Sequence, residues 1–128
     1  MPFYHATTAD RIESIRQHGL GGLKDAPKAF PGCPDGVYLA SNSLFAVGFL
    51  LERALSGDFT KQTPQEALAQ FRVIVIDDSR VNRNRLVQDP NIKQAGFWLY
   101  DGVVDITAMP VVTAEDVTRV SFVQPTPP

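Results

Sequence analysis

Phe3-Tyr4-His5-Ala6-Thr7 and Gly36-Val37-Tyr38-Leu39-Ala40-Ser41 are the two stretches on which the reading of this chain turns, each a short extended run carrying a large ring. One helix-like stretch separates them, so they can become neighbouring strands with His5 and Tyr38 side by side in a cleft. Such a pair suits a flat ligand.

Outward from these runs, Thr7 followed by Asp10 offers a capping box for a helix whose buried stripe is Ile12 and Ile15, and Gly19 supplies its left-handed stop. Gly21 to Asp35 is rich in glycine and proline and reads as a loop long enough to act as a flap. Ser43 can cap a helix from Leu44 to about Leu55, too apolar for a free surface. After a break at Gly57 to Pro64 and a short helical turn at Gln65 to Ala69, the β-branched run Phe71 to Ile76 has the length and composition of a central strand. Arg80 to Gln94 reads as a second long loop. Phe97 to Tyr100 and Val103 to Ile106 flank Asp101-Gly102, a strong hairpin signal, and Val117 to Val123 reads as a last strand entered through Thr113 to Asp116. This order predicts an α+β domain over residues 1–123 with a proline-rich tail at 124–128.

The chain has 128 residues, 44% of them apolar, which suits one core rather than two. Its 12 basic and 14 acidic residues leave a formal net charge of -2, so no general field draws in nucleic acid or an anionic membrane. Cys33 stands alone, which excludes an internal disulfide and a multi-cysteine metal site and predicts a reducing, cytoplasmic setting. No apolar run reaches the roughly 20 residues of a membrane span, and no signal pattern opens the chain. No Gly-x-Gly-x-x-Gly follows a strand, no phosphate loop is present, and Gly19 to Gly22 follows a helix, the wrong end for cradling phosphate.

The pattern resembles the ADP-ribosyltransferase fold. Tyr4-His5-Ala6-Thr7 with Ile12, Ile15 and Gly19-Leu20 is similar to that family's opening strand and helix; Gly36 to Ser41 is similar to the strand whose tyrosine packs on nicotinamide, with Phe49 at the place of a second ring; Glu115-Asp116-Val117 is similar to the glutamate segment before its last core strand. The resemblance implies two small antiparallel-rich sheets forming an NAD cleft with flanking helices. It further implies that His5 hydrogen-bonds the adenosine-side ribose with Ala6 and Thr7 close by, that Tyr38 and Phe49 sandwich nicotinamide with Ser41 at the strand end, and that Glu115 holds the nicotinamide ribose. NAD would be consumed as a substrate and no metal is required. Loss of nicotinamide leaves positive charge on the ribose, so a carboxylate beside the sugar is the central chemical need.

The acid has rivals. Asp89-Pro90-Asn91 resembles the aspartate segment of the branch that modifies rifamycin antibiotics, and Gly102-Val103-Val104-Asp105 resembles a later stretch of it, so Asp89 and, more weakly, Asp105 compete with Glu115. The absence of Gln-x-Glu or Glu-x-Glu ahead of Val117 argues against an arginine acceptor. Gly96-Phe97-Trp98-Leu99 echoes the RNA 2'-phosphotransferases, but Phe49, Leu50 and Leu51 follow Val47-Gly48 where those enzymes carry phosphate-gripping residues. Hydrolysis of NAD and a binding module without chemistry are further readings, and the acceptor is open among a drug, a protein side chain, a base and water. Small relatives of this kind include bacterial toxins, antibiotic-resistance enzymes and phage proteins acting against host defences. Each residue also has a structural reading: His5 as a half-buried hydrogen-bonded ring, Tyr38 as strand filler, Phe49 as core, Glu115 as a polar strand entry, His18 as a cation at a helix end, and Arg80 to Arg85 as a solvated loop or an arginine fork for pyrophosphate.

Overall fold

The computed structural model describes residues 2–22, 37–56, 63–88 and 96–117. Its strands are β1 (Phe3–Thr8), β2 (Val37–Ala40), β3 (Phe71–Ile76), β4 (Leu86–Gln88), β5 (Phe97–Tyr100) and β6 (Val111–Thr113), and its helices are α1 (Ile12–His18), α2 (Ser43–Ser56) and α3 (Pro64–Gln70). The strands form one sheet in the order β4-β5-β2-β1-β3-β6, with every neighbouring pair antiparallel. The fold is α+β. The expected pair of small sheets is corrected to this single sheet, because β1 and β2 still meet at Tyr4 opposite Ala40.

Strand alternation explains the layers. Ile74 and Ile76 point to one side with Phe3, Val37, Leu39 and Tyr100, where α1 contributes Ile12 and Ile15 and the later chain contributes Val104 and Ile106. Phe71 and Val73 point to the other, where α2 supplies Val47, Leu50 and Leu51 and α3 supplies Ala67 and Leu68. An interior strand covered on both faces needs the near-continuous apolar run that β3 has, and each fully buried side chain there contributes about 1.5–3 kcal/mol.

Helix ends follow local chemistry. Thr63 accepts from the Glu66 amide at 3.1 Å, the Thr63 amide donates back to the Glu66 carboxylate at 3.4 Å, and Pro64 opens α3. Gly19 ends α1 at φ 79°, its amide bonded to the Ile15 carbonyl at 2.8 Å. No capping box forms between Thr7 and Asp10: the Thr8 hydroxyl takes the Asp10 carboxylate, and residues 9–11 make a 3-10 turn before α1. At α2 the cap is Asn42 rather than Ser43, since its carboxamide oxygen accepts from the Leu44 and Phe45 amides at 2.8 and 3.3 Å.

Two expectations are overturned by non-local pairing. The Asp101-Gly102 hairpin does not form, because both edges of β5 are taken by β2 and β4. Val104 pairs instead with Leu20 in an isolated bridge and is fully buried with Ile106 beneath the sheet. The loop expected at Arg80 to Gln94 contains β4. Among the described residues the last strand is β6 at Val111–Thr113 and residues 114–117 are helical; the expected Val117 to Val123 strand lies, apart from Val117, outside the described residues. No described helix is long and apolar enough to cross a membrane.

Candidate functional site

The seam between β1 and β2 sits at the middle of the sheet and is scarcely paired. β1 shares six register pairs with β3, and β2 shares four with β5, but β1 and β2 share only Tyr4↔Ala40. The sheet is thus two three-stranded halves hinged at one pair. Beyond that pair a side chain replaces the ladder: His5 Nδ1 lies 2.7 Å from the Tyr38 carbonyl oxygen. A carbonyl can only accept, so Nδ1 carries the proton.

The imidazole is partly buried, and burial pushes its pKa below the ordinary 6.5, against the Tyr38 carbonyl, which raises it; the positive charge of Arg11 adds to the lowering. His5 is therefore neutral at pH 7, with the Nε2 lone pair free to accept, and Nε2 has no hydrogen-bond partner among the described residues. Because the folded chain holds this proton less tightly than the unfolded chain, its contribution to stability is complete above about pH 6.5 and is lost as the pH falls toward the folded-state value. Melting temperatures measured from pH 7.5 down to 5 are expected to fall more steeply below pH 6.5 for the wild type than for His5→Asn. Parallel curves would refute this assignment of the neutral state.

Tyr38 turns toward α2, where its ring centroid lies 5.9 Å from that of Phe49 at an interplanar angle of 30°. Phe49 meets Phe97 of β5 at 6.3 Å and 53°, and Phe97 stacks on Phe45 at 5.5 Å and 13°. Among the described residues the expected Tyr38–Phe49 pair continues into a row with Phe97 and Phe45. Tyr4, Ala6 and Ala40 pack on this same side, whereas alternation carries His5 with Phe3 to the other. The two rings thus do not face one another across a slot. His5 is joined to Tyr38 through the backbone carbonyl.

The other candidates are placed as follows. Thr7 is buried at 6% exposure, Ala6 packs beneath α2, and Ser41 is exposed with its amide bonded to the Gly96 carbonyl at 2.8 Å. Glu115 is exposed on the helical turn 114–117 that follows β6, and β6 lies three strands from β2, about 14 Å at the usual strand spacing. Asp89 lies outside the described residues; the described chain before it ends at Gln88, which pairs with Trp98, itself paired with Leu39 of β2.

Asp105 has a structural task. It accepts from the Thr107 amide at 2.9 Å and hydroxyl at 2.7 Å, which hold its carboxyl below the usual range, and it meets Arg80 at 3.2 Å. Arg80 also donates to the Asp105 and Thr107 carbonyls at 3.2 and 3.1 Å, tying the turn together, so Arg80 is not a free phosphate grip. Among the described residues no group of three or more His, Cys, Asp or Glu side chains is placed to hold a metal ion.

Two site residues, Phe45 and Phe97, were not singled out in the sequence. Phe45 precedes Phe49 by one helical turn, a spacing that puts both on one face; for Phe97 the sequence signal is the preceding glycine. Comparisons with protein-family models, with curated proteins and with solved structures found no match.

Proposed function

We propose that this chain transfers ADP-ribose from NAD to an acceptor and releases nicotinamide. The observation that carries the reading is the opened β1–β2 seam, with a neutral imidazole across it whose Nε2 is left to accept a hydroxyl proton. His5 would receive a ribose hydroxyl at Nε2. Tyr38 and Phe49, on the opposite side of the sheet from His5, would hold the nicotinamide ring, whose positive charge in NAD suits two π faces, with the dinucleotide crossing the β1–β2 seam between them. The bond between C1' of the ribose and the ring nitrogen breaks, its electron pair neutralises the ring, and the acceptor bonds to C1' while passing its proton to a carboxylate or to water. The distance of Glu115 from Tyr38 favours Asp89 as that carboxylate.

NAD at about 100 times its dissociation constant is expected to stabilise the chain by roughly 2.7 kcal/mol, a rise of roughly 10 °C in melting temperature. Asp89→Asn is expected to keep this shift and lower nicotinamide release at least about 100-fold, while Glu115→Gln changes release by less than about threefold. Loss of activity in Glu115→Gln with Asp89→Asn unaffected would reverse the assignment of the acid. A wild-type chain that neither shifts with NAD nor releases nicotinamide, tested with a cell extract as acceptor source, would leave a binding module as the better reading.

A further inference from the structure

We propose that Phe97 is a positioning residue that sets the span of the Tyr38–Phe49 slot, an inference that rests on the NAD reading of that slot. A planar ring held between two others needs their centroids about 7 Å apart, twice the contact distance of stacked carbons. Tyr38 and Phe49 stand at 5.9 Å, so one of them has to yield by about an ångström.

Tyr38 has little freedom to do so. It belongs to β2, which is paired with β5 along its whole length, Tyr38 opposite Leu99 and Ala40 opposite Phe97. The same ladder therefore places both Tyr38 and Phe97. Phe49 belongs to α2 and touches both Tyr38 and Phe97. Phe49 is the movable jaw, and Phe97 is the stop behind it. Phe97 is itself firmly seated: it is 8% exposed and stacks at 13° on Phe45. A packed row of this kind would switch between a closed arrangement and one open by about an ångström rather than deform continuously. The stop fixes where the open arrangement ends, so the slot takes one flat ring in a defined place.

Phe97→Leu keeps an apolar side chain and removes the flat stop. Without any ligand, the ring-proton resonances of Tyr38 are expected to shift in this variant, because the change passes through Phe49. In nicotinamide release, KM for NAD is expected to rise about fivefold to tenfold with kcat within about twofold, since a misplaced ring is bound less well in the ground and transition states alike. Phe97→Tyr keeps the plane and is expected to bring KM back to within about twofold of the wild type. A role in packing alone lowers the melting temperature of Phe97→Leu and leaves both KM and the Tyr38 resonances where they were. That result overturns the proposal. A wild type that releases no nicotinamide overturns the NAD reading instead, and the Tyr38 resonances, read without ligand, still decide whether Phe97 governs the slot.

Discussion

His5→Ala is expected to lower NAD-dependent nicotinamide release at least about 100-fold, through two losses that a second substitution separates. The imidazole donates from Nδ1 to the Tyr38 carbonyl and presents Nε2 as an acceptor. Alanine removes both functions, and the Tyr38 carbonyl loses its donor in a partly buried seam, which costs about 1–3 kcal/mol of stability. Asparagine places its amide nitrogen near the position of Nδ1 and has nothing at the position of Nε2. His5→Asn should therefore retain most of the stability, measured by urea unfolding, while losing nearly all the activity. It should also lose the part of the pH dependence that begins near pH 6.5 and belongs to His5, because asparagine does not titrate. An active His5→Asn would show that the imidazole only closes the seam, and the catalytic assignment of Nε2 would fall with it.

The two sides of that imidazole mark how far a sequence alone can take the reading. The extended runs at β1 and β2 and the apolar helix α2 were legible because their periodicity is local: Phe3, Val37 and Leu39 alternate with Tyr4, Tyr38 and Ala40 over runs too short to be anything else. The side each ring takes was not legible. Alternation fixes that Tyr4 and His5 differ, but which of them lies under α2 depends on where α2 docks. β3 was equally clear from its composition. β4 was hidden because it is three residues long, only Leu86 is partly buried, and arginines precede it.

The Asp101-Gly102 signal shows the opposite failure, a strong local preference that lost. Forming that hairpin would have placed Val103 to Ile106 beside β5, where β2 and β4 already lie, and would have taken Val104 and Ile106 out of a core in which they are 0% and 1% exposed. Burial of two branched side chains outweighs a turn preference by several kcal/mol. At the site, the residue types were readable and the acids were not. Glu115 looked plausible because it precedes a β-branched run, yet the run that pairs with β3 is the one before it, Val111–Thr113, and this puts Glu115 on the helical turn that follows β6.

Gly96→Ala should destabilise the chain by about 2–3 kcal/mol, a large effect for adding one methyl group. Gly96 has φ +95°, a conformation an L side chain strains to adopt, and it enters β5 immediately before Phe97. A Cβ there would stand 2.7 Å from the Ser41 hydroxyl oxygen and 3.3 Å from the ring of Phe45. The hydroxyl can rotate away, but the Phe45 ring is stacked on Phe97 and has less room to move. The Gly96 carbonyl also accepts from the Ser41 amide at 2.8 Å, so the peptide cannot turn over to relieve the strain without breaking a bond between β2 and β5. Strain and crowding can be measured apart. In the double variant Ser41→Ala, Gly96→Ala the closest clash is gone and only the backbone term and the Phe45 contact remain, so about a third to a half of the lost stability should return in urea unfolding. A single variant within about 0.5 kcal/mol of the wild type would mean that this turn relaxes freely. Because Gly96 sets the entry of Phe97, the same methyl group is expected to weaken NAD binding even at temperatures where the variant is fully folded.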